Sequence, residues 1–314
     1  HTCVVLGIPY NRFMKCWGRN DKGQLGYGDT MWRGSRWFTM GMNLPSIDFG
    51  DAVTHVALGN SHSCGVLQSQ TSDNAYIRCW GDNSRGQLGY RHTQRLRMLA
   101  GDNGDAPVDL GQVGKVVEVA AGDYHTCAVL ISGSAKCWGW NYYGQLGYGD
   151  RKLRGRAVRQ MGDNLPIIKL GFSSNLVQIA LGSFHSCAVL GPLHTRFIKC
   201  WGRNDDGELG YNDTAMGNNW PDLKFGADYM AKSIAVGSTH SCTALVGGSV
   251  KCWGANGMGQ LGYGDTENRG SKDDDMGDHL PTVSGALTTV PEAPTNVYSN
   301  EYAFIALNKG TGRA

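Results

Sequence analysis

Short apolar runs broken by glycine dominate the hydrophobic pattern of this chain. Three of them, at 116–122, 176–182 and 231–237, each lead into a His-[Ser/Thr]-Cys triplet and a second apolar run. Short runs rich in Val and Ile and bounded by glycine are typical of β-strands. A turn of variable length follows, and a Lys/Arg-Cys-Trp segment then predicts a third strand that returns along the second. The pattern therefore predicts an all-β chain built from hairpins.

One segment recurs throughout the chain. The template Cys-Trp-Gly-x-Asn-x-x-Gly-[Gln/Glu]-Leu-Gly-Tyr begins at Cys16, Cys79, Cys137, Cys200 and Cys252. Leu-Pro segments at 44–50 and 165–171 predict a fourth strand, because proline is tolerated at the first residue or the edge of a strand. About four short strands in a unit of about 60 residues are the content of one propeller blade. We therefore expect a β-propeller with five visible repeats.

The last part of the chain departs from the template. Residues 1–290 hold the repeats, whereas 291–314 begin with a Pro-rich linker and end in a strand-like segment. Tyr302–Leu307 resembles Gln178–Leu181, which precedes a His-Ser-Cys triplet, and the first triplet, at residues 1–3, has no such strand before it. We expect the terminal strand to complete the first blade and close the fold, since closure removes exposed strand edges. The alternative is that a further module starts beyond Pro291.

Composition narrows the class of protein. The chain has 314 residues and 46 glycines, well above the average glycine share of about 7%. The formal net charge of +2 argues weakly against nucleic acid as a partner. No apolar run approaches the roughly 18 residues of a membrane helix, so we expect no membrane insertion. The chain opens at His1 inside a repeat, which indicates a processed or partial chain.

Cysteine is the most informative residue type. The ten cysteines form one pair per repeat, which predicts a disulfide within each repeat and an oxidising compartment. A zinc site would use the His two residues before each first Cys, but that spacing matches no common zinc module. The pairs are Cys3 with Cys16, Cys64 with Cys79, Cys127 with Cys137, Cys187 with Cys200, and Cys242 with Cys252.

The repeats resemble those of the regulator of chromosome condensation family, in the segments 117–128 and 137–147 and over nearly the whole chain. The resemblance implies a β-propeller, most often of seven four-stranded blades, so the chain is either a five-bladed ring or part of a larger one. Functions in that family include nucleotide exchange on a small GTPase, ultraviolet sensing, enzyme inhibition and scaffolding, so the fold does not settle the function. Two departures weaken the first two roles: a cysteine pair in every repeat, and no Gly-Trp-Arg-His-Thr motif. The Cys-rich form resembles extracellular repeat proteins.

The sequence offers no catalytic set. The histidines at 1, 62, 125, 185 and 240 occupy one repeated slot, which indicates a fold role, and no nucleophile triad, phosphate loop or zinc motif is present. We expect no enzyme activity, no cofactor and no metal ion. Asn212 begins a glycosylation sequon. Aromatic residues outside the template are the candidate contact surface: Trp32, Trp37, Trp140, Tyr142, Tyr143 and Trp220.

These observations favour a secreted or cell-surface, non-catalytic propeller that has a structural or protein-binding role in a larger assembly. Its partners would be proteins, including copies of itself or further domains of a longer chain. The first alternative is a carbohydrate-binding propeller, with a glycan as partner. The second is an intracellular exchange factor or enzyme regulator, which predicts free thiols in place of disulfides.

Overall fold

A computed structural model describes residues 1–8, 11–96, 106–171, 175–192, 194–212, 220–223, 225–226, 230–272, 274–283, 296–299 and 304–307. The chain divides into two compact units, one formed by His1–Asn141 with Lys152–Ile167 and the other by Tyr142–Arg151 with Ile168–Ala314. In the described residues the regular elements are strands and four single-turn 3-10 helices. No helix in these ranges is long and apolar enough to cross a membrane.

The first unit contains three antiparallel sheets. Their strands are β1 (Thr2–Ile8), β2 (Asn11–Trp17), β3 (Ala52–Leu58), β4 (His62–Gln68), β5 (Ala75–Gly81), β6 (Val116–Ala121), β7 (His125–Leu130) and β8 (Ala135–Gly139). The sheet orders are β1-β2, β3-β4-β5 and β6-β7-β8. Each later sheet begins with the glycine-bounded apolar run that the sequence predicts as a strand.

The second unit repeats this plan. Its strands are β9 (Leu176–Leu181), β10 (His185–Leu190), β11 (Phe197–Gly202), β12 (Ala231–Val236), β13 (His240–Leu245), β14 (Val250–Gly254), β15 (Asn296–Ser299) and β16 (Phe304–Leu307). The sheet orders are β9-β10-β11, β12-β13-β14 and β15-β16. In all four three-stranded sheets the middle strand carries the His-[Ser/Thr]-Cys triplet and the third strand ends in Cys-Trp-Gly.

The ten cysteines form five disulfides, one within each repeat. The two cysteines of a pair lie directly opposite each other on neighbouring antiparallel strands, with Cα atoms 4.0–4.1 Å apart. Such a short separation belongs to the non-hydrogen-bonded sites of an antiparallel ladder, where facing side chains are closest. All ten cysteines are therefore paired, as the one pair per repeat predicts.

The predicted fourth strand is reduced to isolated bridges. The Leu-Pro segment of the first repeat meets β2 only at Met14 and Ile47, and Ile198 of β11 meets Leu223 in the same way. Tyr27 explains the reduction, because its hydroxyl accepts from the Cys16 N–H at 2.9 Å and shares its proton between the Cys16 and Pro45 carbonyls, at 3.0 and 3.1 Å. The hydroxyl thus occupies the main-chain groups that a fourth strand would use, and Pro45 has no N–H to offer.

The terminal strands β15 and β16 form a two-stranded sheet. In the described residues β16 pairs with β15, β15 contacts β12 and β13, and the β1-β2 sheet has no third strand. Completion of the first blade by the terminal strand therefore remains a prediction. Residues 284–295, which contain the predicted linker, lie outside the described residues.

The cores lie between successive sheets. In the first unit Trp80 packs with Leu25, Ile47, Phe49 and Leu67, all buried. In the second unit Trp253 packs in the same way with Leu209 and Phe225. The tryptophan of each later repeat therefore fills the space against the repeat before it, as expected for packing residues.

Candidate interaction surface

The repeated polar side chains join each repeat to the next. The Gln24 carbonyl accepts two hydrogen bonds from the second repeat, from the Trp80 indole at 2.9 Å and the Ser63 hydroxyl at 2.8 Å. His1 Nε2 lies 2.8 Å from the same hydroxyl. We call this arrangement the clasp. Its main acceptors elsewhere are the carbonyls of Gln87, Gln145 and Glu208, with Trp138, Trp201 and Trp253 as the indole donors.

The clasp fixes the tautomer of its histidines. His62 Nε2 lies 2.9 Å from the Thr126 hydroxyl, which donates its one proton to the Gln87 carbonyl at 2.8 Å. The hydroxyl must therefore accept from a protonated Nε2. Burial lowers the pKa of His62 to about 4 and that of His125 to about 3, so both are neutral near pH 7. Buried, neutral and engaged in the fold, these two side chains are not placed for acid–base catalysis.

A glycine makes room for each clasp. A Cβ on Gly26 would lie 2.9 Å from the Trp80 indole nitrogen, and one on Gly147 would lie 2.9 Å from that of Trp201. Both residues also have φ near +80°. The Gln-Leu-Gly part of the template therefore brings the indole of the following repeat to the carbonyl two residues before the glycine.

The segments that follow the first, third and fifth templates, 28–43, 149–164 and 264–279, are called excursions, and each is bridged to its sheet through the main chain. In the first, Arg33 donates to both oxygens of Asp29 at 2.9 and 2.8 Å, and its guanidinium lies 3.9 Å from the centre of the Tyr27 ring. The hydrogen bonds from Arg33 lower the pKa of Asp29. Arg33 also pairs with Gly18 through the main chain, with N–O distances of 2.7 and 3.2 Å. The base of the excursion is therefore held by an ion pair and a backbone bridge.

The tip of the first excursion, residues 31–43, is unusually apolar; we call it the aromatic loop. It contains two single-turn helices, Trp37–Thr39 and Gly41–Asn43. Five large side chains are exposed on it, with relative accessibilities of 69% for Met31, 58% for Trp32, 87% for Trp37, 46% for Phe38 and 100% for Met42. Clustered exposed apolar side chains of this kind mark an interaction surface more often than a solvated one.

The equivalent excursions carry different chemistry on the same scaffold. In the third repeat the short helices are Val158–Gln160 and Gly162–Asn164, and the exposed tip includes Arg156 and Arg159. In the fifth repeat Arg269 binds Asp265 as Arg33 binds Asp29, and the exposed tip includes Glu267 and Asp274. The backbone bridge at the base recurs in all three excursions, at Gly18–Arg33, Gly139–Arg154 and Gly254–Arg269, while the tip is apolar, basic or acidic.

The structure separates the six aromatic candidates into three groups. Trp32, Trp37 and Tyr142 are exposed. Trp140 and Tyr143 are half-buried, the first against Tyr124 and the second against Phe184. Trp220 must be corrected, because it is only 3% accessible and its ring stacks on Trp201 at 4.9 Å between centroids. It is a core residue, so the exposed aromatic surface is smaller than the sequence indicates.

Two repeated roles were missed at the sequence level. Besides Tyr27, Tyr263 accepts from the N–H of the third-strand cysteine and donates to its carbonyl. Lys15, Lys136 and Lys251 donate to the carbonyls of Gly41, Gly162 and Gly277, which pins the excursions to the sheets. Both residue types recur at fixed template positions, and that recurrence was a usable signal.

Asn212 is exposed, while the rest of its sequon, 213–214, lies outside the described residues. Over the described residues no group of three or more His, Cys, Asp or Glu side chains could hold a metal ion.

Models of the regulator of chromosome condensation (RCC1) repeat match residues 16–66, 79–129 and 132–189 in one form, and 53–87, 116–145 and 231–260 in a second. Together the matched ranges cover more than half of the chain. Among curated relatives, the ultraviolet-B receptor UVR8 of Arabidopsis thaliana is 28% identical over 271 residues, covering 84% of this chain and 54% of the receptor. The probable E3 ubiquitin-protein ligase HERC6 of Homo sapiens is 29% identical over 271 residues, covering 85% of this chain and 24% of the ligase.

The chain thus spans about half of the plant receptor and a quarter of the human ligase. Among solved structures, human WBSCR16 is similar with a TM-score of 0.70 and 21% identity, covering 98% of this chain and 70% of that one. Prp20p of Saccharomyces cerevisiae, described with its binding properties to Gsp1p and histones, gives a TM-score of 0.65 at 19% identity, covering 95% and 65%. These similarities show the RCC1-type propeller fold.

Proposed function

The chain belongs to the regulator of chromosome condensation (RCC1) repeat family, and from this premise we propose that it is a non-catalytic, protein-binding propeller module of an oxidising, extracellular compartment. The observation that carries the proposal is the aromatic loop, whose Trp37 and Met42 side chains are almost wholly in solvent although most other large apolar residues are buried. Five disulfides support the compartment, because such bonds persist outside reducing cytosol.

The division of labour among residues supports binding over catalysis. The clasp uses the hydrogen-bonding groups of the repeated histidines and tryptophans, such as His62, His185, Trp80 and Trp201. The side chains that differ between repeats lie on the excursions, whose backbone bridge to the sheet is the same in the first, third and fifth repeats. A related propeller, Prp20p, has described binding to the proteins Gsp1p and histones, which supports a protein as the class of partner.

The chemistry of the loop narrows the partner. Three aromatic rings and two methionines are suited to an apolar patch, since tryptophan is enriched among the residues that dominate binding energy and methionine adapts to irregular apolar surfaces. Arg36 lies beside Phe38, with its guanidinium 5.8 Å from the ring centre. We therefore propose a partner surface that is apolar at its centre and acidic at its rim.

A display library of secreted and cell-surface proteins tests this function. Clones that bind the wild-type protein should bind the double variant Trp37→Ser, Met42→Ser at least about tenfold more weakly, because truncating a hot-spot residue at the centre of an interface costs about 2 kcal/mol or more. The matched control is Val158→Ser, which alters an exposed apolar residue at the position of Trp37 in the third repeat. Clones that bind both variants as tightly as the wild type would refute the proposal.

A carbohydrate ligand is the second candidate, favoured by the exposed rings of Trp32, Trp37 and Tyr142, onto which sugars can stack. A glycan array separates the two functions. Signal on the array that disappears with Trp37→Ser, together with loss of library binding after enzymatic deglycosylation, would favour the lectin function over protein binding.

We also propose that Asn212 carries an N-linked glycan, because the residue is exposed within an Asn-Asp-Thr sequon. Protein from a secretory host should lose mass on treatment with peptide N-glycosidase, and Asn212→Gln should remove the change.

A further inference from the structure

Three exposed arginines of the first unit, Arg85, Arg156 and Arg159, form no salt bridge among the residues that the structure describes. The Arg156 N–H donates to the Gln160 side chain at 3.0 Å, which holds Arg156 beside the short helix that carries Arg159. A guanidinium without a carboxylate partner offers its charge and its planar set of N–H donors to an anion from outside. Arginines elsewhere in the described ranges are ion-paired, among them Arg19, Arg33, Arg91, Arg203 and Arg269.

Two glycines bring Arg85 and Arg156 together, although they belong to different repeats. A Cβ on Gly86 would lie 2.6 Å from Cγ of Arg156, and one on Gly155 would lie 2.2 Å from the Gly86 carbonyl oxygen. The Arg91 N–H also donates to the Gly155 carbonyl at 3.0 Å. The third excursion therefore lies directly on the template segment of the second repeat, with Arg85 one residue from the contact with Arg156.

The ring of Trp140 supports Arg85, whose guanidinium carbon lies 5.1 Å from the ring centre. Trp140 is held in turn by Tyr124, edge to face at 5.3 Å between ring centres, and its main-chain N–H donates to the Tyr124 carbonyl at 2.9 Å. A guanidinium that lies over a ring uses its flat face there and keeps its N–H edge for an anion. We call Arg85, Arg156 and Arg159, with Trp140, the arginine surface.

The second unit shows that the fold does not require these arginines. Its glycines make the same backbone contact, because a Cβ on Gly207 would lie 2.7 Å from the Ser271 nitrogen and one on Gly270 would lie 2.6 Å from the Gly207 carbonyl oxygen. The residues at the positions of Arg85, Trp140, Arg156 and Arg159 are there Asp206, Ala255, Ser271 and Asp274. The positive charge therefore belongs to this surface and not to the shared scaffold.

A ligand with several fixed negative charges fits the arginine surface, because guanidinium groups bind oxyanions through paired, charge-assisted hydrogen bonds. The segment 151–159, which carries two of the three arginines, has five basic residues and no acidic one, a composition typical of heparin or nucleic-acid patches. We propose that the arginine surface binds a sulfated polysaccharide, with sulfate groups on Arg85 and Arg156. The choice of a sulfated saccharide over nucleic acid rests on the oxidising compartment proposed above. The surface shares no residue with the aromatic loop.

Heparin is the probe for this surface. The wild type should bind heparin, more weakly as salt is added, and should bind hyaluronan, whose charges are all carboxylates, at least about tenfold more weakly. The double variant Arg85→Asp, Arg156→Ser should also lose at least about tenfold in affinity for heparin, because two charge-assisted contacts disappear. It should fold, since Asp206 and Ser271 stand at these positions in the second unit.

The matched control is Lys169→Asp with Lys272→Ser, which changes the net charge by the same amount at two exposed residues of the second unit. It should bind heparin as the wild type does, and an equal loss in this control would overturn the proposal. The aromatic-loop variant Trp37→Ser, Met42→Ser should also keep its affinity for heparin. Failure of heparin binding and failure of library binding are therefore separate results.

Chemical protection of the wild type covers the case in which the arginine variant does not fold. Phenylglyoxal modifies exposed guanidinium groups, and mass measurement of proteolytic peptides locates the modified arginines. Heparin should slow the modification of Arg85 and Arg156 at least about threefold and leave that of Arg36, which is exposed on the aromatic loop, unchanged. Unchanged rates at Arg85 and Arg156 would overturn the proposal, as would binding of duplex DNA or polyglutamate as tight as that of heparin.

Discussion

At the scale of single residues, glycine and histidine are constrained by the clasp. Gly26 has no room for a side chain because the Trp80 indole lies over it, whereas Gly50, with a similar φ of +77°, has no atom within 4 Å of the same Cβ position. The two glycines therefore separate the cost of backbone strain from the cost of disturbing the neighbouring repeat.

We expect Gly26→Ala to lower the free energy of unfolding by about 1–3 kcal/mol more than Gly50→Ala does, since overpacking adds to the strain that both share. Denaturation by guanidinium under non-reducing conditions measures the difference. Equal losses in the two variants would show that the indole moves aside without penalty.

The buried histidines predict acid sensitivity. Burial lowers the pKa of His62 and of His240 to about 4, and the unfolded value is about 6.5. As the pH falls, the unfolded state binds protons at these residues before the folded state does. Their contribution to the free energy of unfolding is therefore complete above pH 6.5 and is lost as the pH falls to about 4. For His62 the shift corresponds to about 3 kcal/mol.

Glu118 has the opposite effect on stability. Burial raises its pKa to about 7, so its contribution to the free energy of unfolding is lost as the pH rises from 4.5. Burial also lowers the pKa of His125 to about 3, so three histidines destabilise the fold as the pH falls. Their combined effect on the free energy of unfolding exceeds that of Glu118. Unfolding midpoints should fall steadily between pH 6.5 and 4, and less steeply in His62→Gln. A midpoint independent of pH in that range would contradict the assignment of these rings as neutral.

At the scale of elements, the tyrosine hydroxyl substitutes for a fourth strand. Tyr263 accepts from the Cys252 N–H at 2.8 Å and donates to the Cys252 carbonyl at 2.9 Å, and burial raises its pKa to about 12. A single side chain thus satisfies two main-chain groups on the outer edge of β14.

Tyr263→Phe should therefore lower the free energy of unfolding by about 1–3 kcal/mol, the usual penalty for leaving buried polar groups unpaired. Tyr142→Phe, at an exposed ring, should change it by less than about 0.5 kcal/mol. Thermal unfolding of the two variants beside the wild type decides the matter, and indistinguishable transitions would mean that water replaces the hydroxyl.

At the scale of the whole molecule, the disulfides link the fold to its compartment. Mass measurement after alkylation under non-reducing conditions should show no alkylated cysteine in the protein from its native source, because all ten are paired. Ten modified thiols would instead place the protein with the intracellular members of its family.

Much of the architecture could be predicted from the sequence, because the same template occurs five times. The strands of the four three-stranded sheets, the cysteine pairing and the packing role of Trp80 and its counterparts follow from that recurrence. The fourth strand was overpredicted, since a Leu-Pro segment looks extended whether or not it forms a ladder. The Leu-Pro segment cannot form a full ladder with β2, because the Tyr27 hydroxyl, eleven residues further along the chain, is bonded to the main chain of Cys16.

The candidate surface could be predicted only in part. Trp37 and Trp220 both stand outside the template, yet one is 87% accessible and the other 3%. Their local sequences do not distinguish them, because exposure depends on which distant side chain, here Trp201, lies against the ring.

The β class, the repeat period and the pairing of the cysteines can be predicted from the sequence alone, because short-range patterns that recur at fixed spacing set them. Folding alone sets which hydroxyls His1 and His62 bind and which aromatic rings reach solvent. Those properties are set by residues some tens of positions away in the chain, such as Ser63 for His1 and Thr126 for His62, and proximity of that kind is created by folding.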